Sequence, residues 1–229
     1  MNSRWLDPIL AVARKEFQAE WQSKHGLAMG VLFGFVAVVA VAFGAAGQQL
    51  TDSFAASSLC TVLLFQGVLV LPRGYIAEDE QKTLDLLRLW APPRAIVLGK
   101  LLFHLPAQVL TTVVILVIFG GLSGLAVDSW YVYLLAGVLE SVCITAAVSL
   151  CGVLVLGASN RWLLVASLSI PLLLPQLAMA LGALRAGISG FPATSYLFGL
   201  ATFGFLSTLI TVMLGAVVLR RHDGGILGE

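Results

Sequence analysis

Glu140 is the one carboxyl set well inside a long apolar stretch. It follows Trp130 by about ten residues, which on a helix is roughly 15 Å of depth, close to the midplane of a bilayer. A carboxyl there is costly. It is either a functional group whose charge changes or a neutral acid hydrogen-bonded between helices. In both cases it should face the bundle or a subunit interface, not lipid. A second acidic group, Glu78, Asp79 and Glu80, is followed by Lys82 and Arg88 in a charged segment between two apolar blocks. His104 and Pro106 open the next block; a lone histidine there could meet haem or a lipid headgroup, or simply pack at the interface. Nothing places a nucleophile beside a base. The phosphate-binding GxxxxGK[ST] loop, the zinc motif HExxH and the GxSxG elbow are all missing. No catalytic residue and no metal site is therefore assigned, and the chain reads as a non-enzyme. Cys60, Cys143 and Cys151 sit in apolar segments, where a thiol behaves as a small packing residue. Cys143 and Cys151 are about 12 Å apart along a helix, beyond disulfide reach.

The elements that must carry these groups follow from composition. Of 229 residues, 59% are hydrophobic and 11% charged, against about 25% charged in soluble domains. The chain reads as an all-α integral membrane protein, one transmembrane domain over 1–229. Six apolar segments near Leu27–Ala46, Phe54–Pro72, Leu101–Leu122, Trp130–Gly157, Trp162–Ala183 and Tyr196–Leu219 each approach the ~20 residues that cross ~30 Å of hydrocarbon. Pro171 and Pro175 lie inside the fifth and invite a kink or hinge. Ahead of the spans, residues 7–25 predict an interfacial amphipathic helix: Asp7 can cap it, Pro8 suits its first position, and Leu10, Ala13, Phe17 and Trp21 share a face. No secretory signal peptide is expected there. Residues 220–229 form a tail.

Orientation follows from Lys and Arg. With the N-terminus in the cytoplasm, that side holds Arg4, Arg14, Lys15, Lys24, Arg73, Lys82, Arg88, Arg94, Lys100, Arg161, Arg220 and Arg221. Of the 13 Lys and Arg, Arg185 alone falls opposite. Both termini and the segment 74–100 are expected to be cytoplasmic. The net charge of +1 gives no sign of a nucleic-acid partner, and none is expected.

Residues 74–100 read as one helix with acids early and bases late, as the helix dipole favours. Glu78 and Lys82 are four apart, in the order that pairs well. Leu84, Leu86, Leu87 and Trp90 make an apolar stripe. Pro92 and Pro93 stop the helix, and Pro93 can start a short further turn through Arg94 to Lys100. Such a helix on the wet face lies on lipid or inserts its stripe into a groove on a soluble partner.

A flat N-terminal helix, six spans and an amphipathic cytoplasmic insert between spans two and three resemble the membrane subunits of ABC-2-type exporters. TLDLLRLWAPPRAIVLGKLLFH, with LLVASLSIPLLLPQLAMA later, looks like the haem exporter protein B family, the cytochrome c maturation B subunit. Thr83, Leu84, Asp85, Leu87, Pro92, Pro93, Gly99, Lys100 and His104 match its pattern, as do Pro171 and Pro175. The family usually has glycine where this chain has Lys82, and often an acid at the end of span two where this chain has Pro72 before Arg73.

The resemblance implies a permease subunit paired with a separate ABC ATPase, with two copies of each making the transport core. ATP would bind in the partner, and haem would be substrate rather than a covalent cofactor. A haem-handling membrane subunit and a small accessory subunit would complete an assembly in the bacterial inner membrane, surrounded by lipid. The insert would be the coupling helix, with Glu78, Asp79, Glu80, Thr83, Leu84, Asp85, Leu87 and Arg88 at the ATPase. The alternatives are an ABC-2 permease for a drug, lipid or polysaccharide, and a proton-coupled secondary transporter using Glu140. The lack of an internal repeat weighs against the latter.

Overall fold

A computed structural model describes residues 6–23, 25–45 and 50–223. The expectations on Arg4, Lys24, Ala46, Gln48 and the tail 224–229 lie outside the described residues, as do the side chains of His25, Arg221 and His222. Among the described residues there are nine helices: α1 (Leu6–Ser23), α2 (His25–Gly44), α3 (Asp52–Val70), α4 (Arg73–Glu80), α5 (Thr83–Trp90), α6 (Pro93–Leu122), α7 (Trp130–Leu154), α8 (Arg161–Ser189) and α9 (Thr194–Asp223). Six of them, α2, α3 and α6 to α9, are long and apolar enough to cross a membrane. The protein is an all-helical, multi-pass membrane protein.

Helix α7 is the axis of the bundle. Its apolar window is 72% buried, against 22% for α2 at the periphery. It packs on α8, α9, α6 and α3. Close approach depends on small residues, as expected where lipid removes any hydrophobic drive between helices. A Cβ on Gly187 of α8 would lie 2.7 Å from the Tyr133 backbone nitrogen of α7. The same ends are joined where Asp128 N–H donates to Ile188 O at 3.2 Å and Ser129 N–H to Gly187 O at 3.0 Å. Deeper in, interhelical hydrogen bonds fix the rotation of each span. Gln108 Nε2 of α6 donates to Gln66 Oε1 of α3 at 2.6 Å, Ser141 Oγ of α7 to Thr112 Oγ1 of α6 at 2.9 Å, and Thr211 Oγ1 of α9 to Ala146 O of α7 at 2.8 Å.

Several boundaries differ from the sequence expectation. Helix α6 is continuous from Pro93, its first residue, so Arg94 to Lys100 are the opening turns of the third span and not a separate turn. Helix α8 runs from Arg161 to Ser189 straight through Pro171 and Pro175, which puts Arg185 on the helix and not in a loop. Helix α7 stops at Leu154, and Gly157 turns with φ +79°. Asp7 lies within α1, in its first described turn, rather than ahead of the helix as a cap.

The largest difference is in the insert. It is two helices, α4 and α5, with Lys82 between them at φ +56°. A left-handed residue other than glycine costs about 1–2 kcal/mol, and it breaks the helix at this point. The Glu78–Lys82 pairing therefore does not form; Lys82 is exposed at the break, and Glu78 points inward. Helix α4 follows α3 after a turn at Leu71 and Pro72, so the insert leaves the second span almost without interruption.

Helix α1 lies against α6. Val12 and Glu16 are buried, while Leu10, Phe17 and Trp21 are exposed. Gly99 of α6 makes the contact possible, since a Cβ there would meet Val12 Cβ at 2.6 Å and Ile9 O at 2.8 Å. The exposed apolar edge is the one that the sequence assigns to the membrane surface.

Candidate coupling site

Lys100, about two turns into α6 on its buried face, organises the basic end of the molecule. It is 0% exposed. Its ammonium lies 2.7 Å from Glu16 Oε1 of α1, 2.7 Å from Glu78 Oε2 of α4, and donates to Gly74 O at 2.7 Å. It also sits over the Tyr75 ring at 4.9 Å from the centroid, a cation–π contact. Lys15 of α1 joins from the outside, in contact with Glu78 and 3.4 Å from Glu16. Two ammonium groups and two carboxylates thus interlock, which is the condition for tolerating buried charge. Burial resists ionisation of Glu16, but the Lys100 ammonium, with His104 and Lys15 nearby, holds its carboxyl below the ordinary range. Burial and then the Lys100 charge pull the Lys15 ammonium down, against the attraction of Glu16.

A second tie comes from Asp79. Its Oδ2 is 2.9 Å from Arg161 Nη1 at the start of α8 and accepts from Gly157 N–H at 3.1 Å. Arg161 Nε donates to Ala158 O at 2.8 Å, which closes the short α7–α8 turn. Arg73, at the start of α4, lies over the Trp162 ring at 6.0 Å. Helix α4 is therefore fastened to α1 and α6 on one side and to the α7–α8 turn on the other.

Helix α5 is held by fewer groups. Leu84 is 2% exposed in a small core with Val12, Tyr75, Ile96, Val97 and Leu219, and Leu87 packs against it. Thr83 Oγ1 donates to Glu78 O at 3.3 Å, and Arg88 Nη1 to Asp85 Oδ1 at 3.1 Å. The other side of α5 is apolar and open: Leu86 is 59%, Leu89 83% and Trp90 82% exposed.

Of the residues assigned to ATPase coupling, Glu80, Thr83 and Asp85 face solvent. Glu78 and Leu84 are buried. Asp79 is engaged with Arg161, and the Arg88 side chain is largely buried. Leu89 was not singled out from the sequence, and Leu86 and Trp90 only as part of the stripe. The phase of a one-helix reading is lost at Lys82, so it could not tell which leucines face out. Glu16 and Lys15 were missed as partners of Lys100 because 84 residues separate Glu16 from it. Glu140 is 1% exposed inside the bundle, and its Oε2 has no hydrogen-bond partner among the described residues. No group of three or more His, Cys, Asp or Glu suited to a metal occurs among the described residues.

His104, one turn beyond Lys100, is 7% exposed, between Phe103 and Tyr75 at 5.5 and 6.4 Å. It lines a cavity of about 630 Å³ bounded by α1, α4 and the basic ends of α2, α3 and α6.

The family model described as CcmB protein matches residues 8–221, nearly the whole chain. No curated protein matches the chain. The chain belongs to the CcmB family, the haem exporter protein B family associated with haem transport in cytochrome c maturation.

Proposed function

We propose that this CcmB-family chain is the permease subunit of an ATP-driven complex that moves or delivers haem in cytochrome c maturation, and that α5 is where a separate ABC ATPase docks. The observation that carries the reading is the two-sided build of α5. Leu84 fixes one side to the bundle, while Leu86, Leu89 and Trp90 stand exposed on the other, on the side of the molecule that holds the basic residues. A short helix that offers two leucines and a tryptophan to water suits a hydrophobic groove on a soluble partner.

The fastening of α4 supplies the mechanism. When nucleotide-driven closure of the ATPase shifts α5, the push enters α4 across the bend at Lys82. Glu78 passes it to Lys100 on α6 and to Lys15 on α1, and Asp79 passes it to Arg161 at the start of α8. Buried ion pairs resist separation because parting them leaves charge without a partner in low dielectric, so the connection is stiff. Two spans and the interfacial helix then move with the insert. In this reading the basic side is cytoplasmic, the membrane is the bacterial inner membrane, and the transport core pairs two membrane halves over two ATPases. The second half is another copy of this chain, and the haem-handling and small accessory subunits join by family resemblance.

The test is co-purification. Leu86→Asp with Leu89→Asp should leave insertion and thermal stability unchanged while the ATPase no longer elutes with the membrane subunit, and c-type cytochromes fail to mature. An ATPase that still elutes with the doubly substituted chain would move the docking site elsewhere.

A further inference from the structure

Glu140 is a buried acid that the coupling mechanism leaves unused, and the cavity beneath α1 comes close to it. The carboxyl is 1% exposed, and its Oε2 has no hydrogen-bond partner among the described residues. The ionisable groups that act on it are two thiols, Cys60 of α3 and Cys143 of its own helix. The other helices packed on α7 bring Thr112 of α6, Ala180 of α8 and Leu200 of α9 near that depth, none of them ionisable. Lys100, the buried cation of α6, is twelve residues from Thr112, about 18 Å along the helix. Arg185 of α8 is exposed. A carboxylate here is costly and has no cation beside it to offset that cost.

The cavity of about 630 Å³ opens among the charged residues of the basic end and finishes on Gln66, Gln108 and Thr111. The Ser141–Thr112 hydrogen bond sets α6 and α7 in antiparallel register. Thr111 is therefore level with Val142, about 3 Å in depth from Glu140. The cleft between α3 and α6 separates the floor from the acid. Gln108 Nε2 bridges that cleft by donating to Gln66 Oε1 at 2.6 Å, and both side chains are buried. A Cβ on Gly67 of α3 would run into Ile144 of α7 and lie 3.5 Å from Gln108 Nε2. The amide pair thus borders the face of α7 one turn from Glu140.

We propose that Glu140 is a proton-exchange site served from the basic end of the bundle through this cavity, with the Gln66–Gln108 pair as its polar gate. A cavity lined with polar groups and open at its wet end admits water. Either amide can turn to hold an entering water, since each carries both donors and an acceptor. In the exchange, the carboxyl O–H bond breaks, the proton passes to that water as hydronium, and the carboxylate stays behind; the reverse step restores the acid. Loss of the proton leaves a charge between α3 and α7 in low dielectric, which favours a parting of the two helices that lets water solvate it. The packing of the bundle's axis then responds to protonation. The proposal stands apart from the ATPase partner and from haem.

The test reads the carboxyl itself. Full-length protein in liposomes is transferred to heavy water while infrared spectra, wild type minus Glu140→Gln, follow the C=O stretch of the protonated acid. A band unique to wild type should be present at neutral pH and should shift as O–H becomes O–D. Gln66→Leu with Gln108→Leu replaces both partners of one hydrogen bond by apolar groups of similar size, a change that is nearly neutral for stability. It should slow the exchange by about tenfold, the effect of ~1.4 kcal/mol on a barrier. Ala107→Trp, which crowds the cavity ahead of the gate, should slow it as well and serves alone if the double variant fails to insert. A missing band, or one that never shifts in heavy water, overturns the proposal. Exchange as fast in the leucine and tryptophan variants as in wild type overturns it too, because the proton would then travel by another path.

Discussion

Lys100 illustrates how a single residue sets the value of its neighbours. Its ammonium is wholly buried and meets two carboxylates, a carbonyl and an aromatic ring. Lys100→Met keeps the bulk but leaves Glu16 and Glu78 facing each other with Lys15 alone to serve both. Removing one partner of a buried ionic group costs about 3–5 kcal/mol, so detergent-solubilised Lys100→Met should unfold at markedly lower denaturant. Adding Glu16→Gln and Glu78→Gln should recover most of the loss, because replacing the whole group by neutral residues is far cheaper than breaking it. A triple variant no more stable than Lys100→Met would mean that the cation matters for reasons other than charge balance. Glu140 is a different case. It is equally buried, but one of its carboxyl oxygens has no hydrogen-bond partner among the described residues.

At the scale of elements, α4 and α5 behave as two pieces joined at Lys82. Its φ of +56° is strained for lysine and costs glycine nothing. Lys82→Gly should therefore be tolerated and raise stability by up to about 1–2 kcal/mol, read as a higher melting temperature. A fall would show that the strain is relieved by something the lysine side chain does. The two sides of α5 separate as well. Leu84→Ala should cost about 2–5 kcal/mol, as core truncations do, and should loosen α5 from α1 and α6 whether or not an ATPase is present. Substitutions at the exposed Leu86 and Leu89 should leave stability unchanged. Similar losses from both would place Leu86 and Leu89 in a contact within the chain.

The whole molecule is a six-span bundle arranged around α7, with its charged apparatus gathered at one end. That polarity is directly measurable. Cys60, Cys143 and Cys151 are buried and should stay silent to impermeant thiol reagents. A cysteine introduced at Gln81 should react only from the cytoplasm, and one at Phe191, in the α8–α9 connection, only from outside. The reverse pattern would invert the molecule and detach α5 from any cytoplasmic ATPase.

The sequence by itself determined the membrane class, the number of spans and the family. Each of these depends on how residues partition between water and lipid, or on a local motif, and both are readable along one dimension. It also determined that α1 carries Leu10, Phe17 and Trp21 on one edge, since helical period is local. Only the tertiary structure decided that Lys100 is matched to Glu16 and Glu78, that Asp79 reaches Arg161, and that Leu84 points in while Leu86 and Leu89 point out. Those outcomes depend on the rotation of helices about their axes and on one left-handed residue at Lys82, which resets the phase between α4 and α5. Partners far apart in the chain meet only when packing brings them together, and no spacing in the sequence encodes that meeting.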